Sequence, residues 1–171
     1  LWPVTGGGKI DYAVPEIMVT RRWQNQVLLN AVNGPLGYQL EINAKFGHLR
    51  DGIRQPALDH FIQAAALYTM ERYRPELFLL HLTDVDAARH RYGVHHKEVE
   101  AALERHDRRL GEIMDKLAGT GNMEETSIFL LGDHYQKDAG EIAYLNYFLH
   151  QEGLLQVKNG HISAWLAVAK S

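Results

Sequence analysis

Cysteine is missing from this 171-residue sequence, and its absence excludes both disulfide bonds and thiolate metal sites. A bound metal would therefore need His, Asp or Glu as its ligands, and the ten histidines are a generous supply. The chain also lacks an apolar run near the roughly 20 residues that a membrane-spanning helix requires. A protein without cysteine can reside in a reducing or in an oxidising compartment. A cytoplasmic location is slightly favoured, and an extracytoplasmic one stays open.

Charge of one sign is not in excess either. The formal net charge is −3 and the pI is about 6.4, so no surface for nucleic acid or for an anionic membrane is indicated. The glycine-rich stretch before Lys9 is not a phosphate-binding loop, because Ile10 stands where that motif needs Ser or Thr. The chain starts at Leu1 and ends in a strand-like run at Ser171, so we expect a fragment of a longer protein.

Local signals predict three helices. Pro56 fits the first position of a helix that runs to about Tyr73. Residues 97–118 carry apolar side chains at three- and four-residue spacing, with Arg108 and Arg109 on the face assigned to solvent. Residues 141–153 form the third predicted helix, and residues 21–53 are left unassigned because they lack periodicity.

Two continuous apolar runs, Leu77–Leu82 and Ser127–Leu131, are predicted to be buried strands. The helix between them has the length that a parallel β-α-β crossover needs. Asn159-Gly160 lies between two further strand-like runs and predicts a β-hairpin. The fold class is therefore α/β: a largely parallel sheet flanked by helices, with a C-terminal β-hairpin.

Both predicted parallel strands end in acid and imidazole. The first is followed by Asp86 and His90, and the second by Asp133 and His134. Ligand sites of open parallel sheets lie beyond the carboxyl ends of the strands. The four side chains should therefore converge. Carboxylate and imidazole suit zinc, and two such pairs indicate two metal ions, about 3.5–4 Å apart.

Each pair alone has an ordinary alternative, since Asp and His often cap helices and form turns in loops after strands. Asp84 competes with Asp86, because both would share one strand face, and the residues alone do not choose between them. His81 could support the site from a neighbouring position, whereas His106 is expected to be a packed or surface residue.

The run LLHLTDVDAARHRYG, followed by a helix and then by TSIFLLGDH, resembles the type I phosphodiesterase/nucleotide pyrophosphatase family of the alkaline phosphatase superfamily. The opening WPVTGG resembles the loop after that family's nucleophile segment. The resemblance implies that Asp86 and His90 bind one zinc, in preference to Asp84, and that Asp133 and His134 bind the other. Manganese is an alternative metal.

The resemblance also implies that residues 1–171 are the central fragment of one alkaline phosphatase-like catalytic domain, acting on a small-molecule phosphoester. Its Thr or Ser nucleophile would lie before Leu1, so no catalytic nucleophile is assigned in this chain and the fragment alone should be inactive. Two departures bear on activity: Arg89 replaces a small residue before His90, and Tyr135 replaces the glycine after His134. Alternatives are a superfamily relative (sulfatase, phosphonate hydrolase or phosphomutase) or a metal-free binding domain.

Overall fold

The computed structural model describes residues 10–14, 34–141 and 143–169. The chain divides into two compact units, up to Gln136 and from Lys137. The described part of the first unit contains the α-helices α1 (Leu36–Phe46), α2 (Ala57–Tyr73), α3 (Asp84–Tyr92) and α4 (Lys97–Gly119), with short 3-10 turns at Gly47–Leu49 and Met123–Glu125. No helix among the described residues has the length and apolar character needed to cross a membrane. The WPVTGG loop and Lys9 lie outside the described residues.

The two long helices lie close to their predicted bounds. Helix α2 begins one residue after Pro56 and stops where Arg74 takes a left-handed conformation, with φ of 47°. His96 caps α4, because its Nδ1 accepts a hydrogen bond from the backbone N–H of Glu98 at 3.2 Å. The position of Pro56 and the apolar periodicity of residues 97–118 were therefore sufficient to locate both helices.

Two hydrophobic clusters hold the first unit together. The larger joins α1 to α2 through Ile42, Phe61 and Ala65. The smaller joins α3 to α4 through Ala88, Val99 and Ala102. These contacts bury one face of each helix. The apolar stripe predicted for α4 is buried in part, since Val99 and Leu117 are buried but Leu103 and Met114 are exposed.

One charged residue of α4 is buried against the prediction. Arg109 was expected on the solvated face but is only 3% exposed. Its side chain enters the space between the helices because two carboxylates lie there, Asp84 and Asp59, at 3.3 and 3.7 Å from its Nη1. A buried guanidinium requires such partners.

The parallel sheet predicted from the sequence is not found among the described residues. Leu77–Leu82 and Ser127–Leu131 are neither helix nor strand here, and the described sheet has two antiparallel strands from the second unit. Phe129, Leu130 and Leu131 are 82%, 79% and 85% exposed. A strand exists only when a neighbour pairs its backbone N–H and C=O groups, and no described strand lies beside either segment.

The second unit contains α5 (Leu145–Gln151), β1 (Leu155–Lys158) and β2 (His161–Trp165). Helix α5 is shorter than the predicted range 141–153. The strands form the predicted hairpin, turning at Asn159 and Gly160 with φ of 52° and 75°. Positive φ at both central residues matches the twist of paired strands and explains the Asn-Gly sequence.

Candidate metal centre

The first predicted ligand pair lies on one face of α3. Asp86 and His90 are four residues apart, so the helical repeat places their side chains side by side. His90 Nε2 is 3.5 Å from Asp86 Oδ1. The helix therefore brings this pair together without any contribution from a sheet edge.

The second predicted pair lies in the irregular segment after Ser127–Leu131. His134 Nε2 is 3.6 Å from Asp133 Oδ2 and 3.8 Å from Asp86 Oδ1. Asp86 therefore links the two pairs, and the four residues gather at one place. All four side chains remain open to solvent, with exposures between 42% and 71%.

These separations suit ligands of a shared ion better than direct hydrogen bonds. Two ligand atoms about 2.0–2.2 Å from a tetrahedral zinc ion lie about 3.3–3.6 Å apart. The distance within each Asp–His pair is 3.5 or 3.6 Å. However, no three of the four predicted ligands come within 4.8 Å of one another. Each pair could thus offer two ligands to its own ion.

Neighbouring side chains orient the carboxylates of this group. Gln136 Nε2 donates a hydrogen bond to Asp86 Oδ1 at 3.0 Å. His81 Nε2 lies 3.8 Å from Asp133 Oδ2, beside the site as the sequence allowed, although it lies in no strand here. Tyr135, which replaces the glycine after His134, is 86% exposed.

A second acid and imidazole group lies deeper in the first unit and was not predicted. Asp59 of α2, Asp84 of α3 and His106 of α4 each place one potential ligand atom within 4.8 Å of the others. Both carboxylates are buried, and His106 Nε2 is 3.3 Å from Asp59 Oδ2. By residue type and distance, these three residues could also hold a metal ion.

The carboxylates of the buried group already have donors. Asp84 accepts hydrogen bonds from Arg105 Nε at 2.6 Å and Arg105 Nη2 at 3.0 Å, and from Arg109 Nη1 at 3.3 Å. The contact with Asp84 raises the pKa of Arg105. A divalent cation here would have to displace at least one guanidinium, since like charges repel strongly in a buried setting.

The Asp59 carboxylate is satisfied in the same way. It accepts hydrogen bonds from the Gln55 side chain at 2.7 Å and from the backbone N–H groups of Thr83 and Asp84, the closest at 3.0 Å. Burial alone would raise the pKa of Asp59, but these hydrogen bonds and that of His106 outweigh it and hold the pKa below its usual value. Asp59 is therefore ionised at neutral pH without a metal.

Sequence reasoning missed this buried group for an identifiable reason. Asp59 and Arg109 are charged residues within helices, where the default environment is solvent. One available signal was the spacing of Ala102, Arg105 and Arg109, which places both arginines in line with a core residue of α4.

The comparison with known families agrees with the motif interpretation. The sequence description of the type I phosphodiesterase/nucleotide pyrophosphatase family matches residues 1–171. The chain belongs to this family. The resemblance drawn from the two Asp–His motifs is thereby confirmed. No curated protein and no solved structure matches the chain.

Proposed function

We propose that the protein hydrolyses phosphoesters with two divalent ions, zinc by preference and manganese as an alternative. In this proposal Asp86 and His90 hold one ion and Asp133 and His134 hold the other. Family membership supports a phosphoester hydrolase. The observation that carries the metal assignment is the position of Asp86 Oδ1, which lies 3.5 Å from His90 Nε2 and 3.8 Å from His134 Nε2.

The ions and the protein side chains would have different roles in the reaction. Divalent ions at this place would lower the pKa of a bound hydroxyl or water and neutralise phosphate charge. The four residues named above would hold the two ions. Gln136 fixes the rotation of the Asp86 carboxylate through its 3.0 Å hydrogen bond, as hydrogen-bonding neighbours of metal ligands commonly do.

The proposal places the Thr or Ser nucleophile outside this chain. Two threonines that flank the predicted strands are engaged elsewhere. Thr83 Oγ1 accepts a hydrogen bond from Gln55 at 2.7 Å, and Thr126 Oγ1 donates to the carbonyl of Asn122 at 2.6 Å. Thr5 lies outside the described residues. We accordingly propose that the 171 residues alone are inactive and that the full natural chain is needed for turnover.

The proposal also retains the parallel sheet. Leu77–Leu82 and Ser127–Leu131 would pair with strands that lie outside the described residues, and this pairing would bury the apolar side chains that are now exposed. In the full natural chain, backbone amides of residues 127–131 should then be protected from hydrogen exchange. Exchange of these amides at the rate of an unstructured peptide would contradict the assignment.

The metal assignment is tested by titrating zinc and manganese into the metal-free full chain by calorimetry. We expect two ions per chain, and we expect the double variant Asp133→Ala with His90→Ala to bind neither tightly. Glu71→Gln, a change of an exposed residue on α2, is the matched control and should bind as the parent does. Binding that the double variant leaves intact would overturn the assignment, and absence of binding in the parent would favour the metal-free alternative.

The reaction class is tested separately by turnover. With metal bound, bis-p-nitrophenyl phosphate should be hydrolysed faster than the p-nitrophenyl phosphate monoester. A preference for p-nitrophenyl sulfate or for a phosphonate ester would instead indicate the activity of another member of the superfamily.

A further inference from the structure

The N-terminus of α3, the helix that carries Asp86 and His90, is capped by a side chain of another helix. The first N–H groups of a helix need acceptors, and the residue before the helix usually supplies one. Thr83, at that position of α3, makes no such side-chain bond. Asp59 of α2 supplies the acceptors instead, for the N–H of Thr83 at 3.1 Å and for that of Asp84 at 3.0 Å.

The negative charge of Asp59 also suits this position. The N-terminus of a helix carries a partial positive charge, so a carboxylate there stabilises the helix. Asp59 is 1% exposed, and water screens its charge little. Asp59 is itself held by Gln55, whose Nε2 bonds both to Asp59 Oδ1 and to Thr83 Oγ1 at 2.7 Å each.

The same end of α3 is held from the opposite side by α4. Arg105 contacts both oxygens of Asp84, and Arg109 reaches between Asp84 and Asp59. Two long helices thus hold the N-terminus of α3, because Asp59 of α2 accepts from its N–H groups and the arginines of α4 bind Asp84. Asp86 follows Asp84 by two residues, about 3 Å along the helix axis, and His90 lies within the next two turns.

From this arrangement we infer that Asp59 is a positioning residue for the metal ligands on α3. On this inference Asp59, Asp84 and His106 are not a metal centre of their own. The inference rests on the proposed assignment of Asp86 and His90 as ligands. Ligand geometry must be held within about 0.5 Å, and small rotations of α3 about its anchored end would separate Asp86 from His134.

The substitution Asp59→Asn in the full natural chain tests the inference. Asn keeps the shape but offers one acceptor oxygen, so either Gln55 or the α3 N–H groups must lose their partner. We expect the zinc affinity, measured by competition with a chromogenic chelator, to fall by about 10- to 100-fold, the range typical for residues that support metal ligands. Backbone amides of residues 87–90 should exchange faster in this variant, with or without metal.

Two controls separate positioning from general loss of stability. Ile42→Val weakens the core between α1 and α2 and should leave zinc affinity unchanged, although it lowers the midpoint of urea unfolding. Glu71→Gln removes an exposed ion pair with Lys116 of α4 and should change neither. If Asp59→Asn fails to fold, Gln55→Ala replaces it, with a smaller loss of affinity in the same direction.

The outcomes distinguish this inference from the proposed function. Unchanged affinity in Asp59→Asn, or an equal loss in Ile42→Val, overturns the positioning role while the ligand assignment stands. A third ion per parent chain that is lost in Asp59→Asn, with the affinities of the other two unaltered, would make the buried group a metal centre and would also overturn it. If Asp86→Ala leaves zinc binding unchanged, the proposed ligand set is wrong, and the inference that rests on it is wrong as well.

Discussion

The buried charge network makes a quantitative prediction about stability. Replacing Asp84 by Ala removes the acceptor for Arg105 and Arg109 together. Arg105 can turn towards water because its side chain is partly exposed, whereas Arg109 cannot, and its Nε already lacks a partner. Asp59 Oδ2, 3.7 Å from Arg109 Nη1, is the acidic neighbour that remains.

The loss of folding free energy arises because one buried cation loses its closest ion-pair partner. Breaking a buried ion pair by removing one partner typically costs 3–5 kcal/mol, and the residual contact with Asp59 places Asp84→Ala near the lower end, at about 3 kcal/mol. The assay is urea unfolding followed by helical circular dichroism at neutral pH. Adding Arg109→Met to Asp84→Ala should recover about half of the loss or more, because no unpaired guanidinium is then buried.

Glu71→Gln is the matched control for this measurement. Its partner Lys116 lies on α4, the helix that also carries Arg109, but the pair is largely exposed, with Nζ to Oε2 at 2.8 Å. Breaking such a pair costs about 0–1 kcal/mol. A loss below about 1 kcal/mol for Asp84→Ala, similar to the exposed control, would refute the assignment of a buried network.

Three further predictions concern acid, alkali and the hairpin. Folding lowers the pKa of Asp59, so its ionised form stabilises the fold fully above the unfolded pKa of about 3.9, and this stabilisation is lost as pH falls through the lower folded value. The parent should therefore lose resistance to urea below about pH 4. A loss of the same size in Asp59→Asn would contradict this. The hydrogen bond to Glu41 raises the pKa of Tyr73 to about 12, and Glu41 raises the pKa of Tyr68 as well, so part of the tyrosine ionisation should come late in an ultraviolet titration. Glu41→Gln should bring both tyrosines towards the ordinary value of about 10, and an unchanged curve would argue against these contacts. Gly160→Ala should cost about 1–2 kcal/mol through its left-handed backbone, seen as faster amide exchange in β1, whereas exchange at the parent rate would mean that the turn adapts.

The sequence predicted those parts of the structure that short-range chemistry controls. Helix α2 was located by Pro56, α4 by its apolar periodicity, and the hairpin by Asn159-Gly160. The D-x-x-x-H spacing placed Asp86 and His90 on one face, whichever element carried them. The same motifs identified the family. Their role as metal ligands stays a prediction, as do the single catalytic domain, the substrate and any partner.

Other features depended on which elements meet in space. The proximity of His134 to Asp86 was expected from strand ends but arises here from α3 and an irregular segment, since neither predicted strand has a described partner. No local pattern indicated that Asp59 would cap α3, and the spacing of Arg109 from Ala102 was the one local hint that Arg109 would be buried. A charged side chain in a helix has the same sequence signature in water or in the core, because burial is decided by the opposite charges that neighbouring helices bring. The sequence by itself therefore determined helices α2 and α4, the turn and the ligand motifs, and the tertiary structure decided which charges are buried and how α3 is anchored.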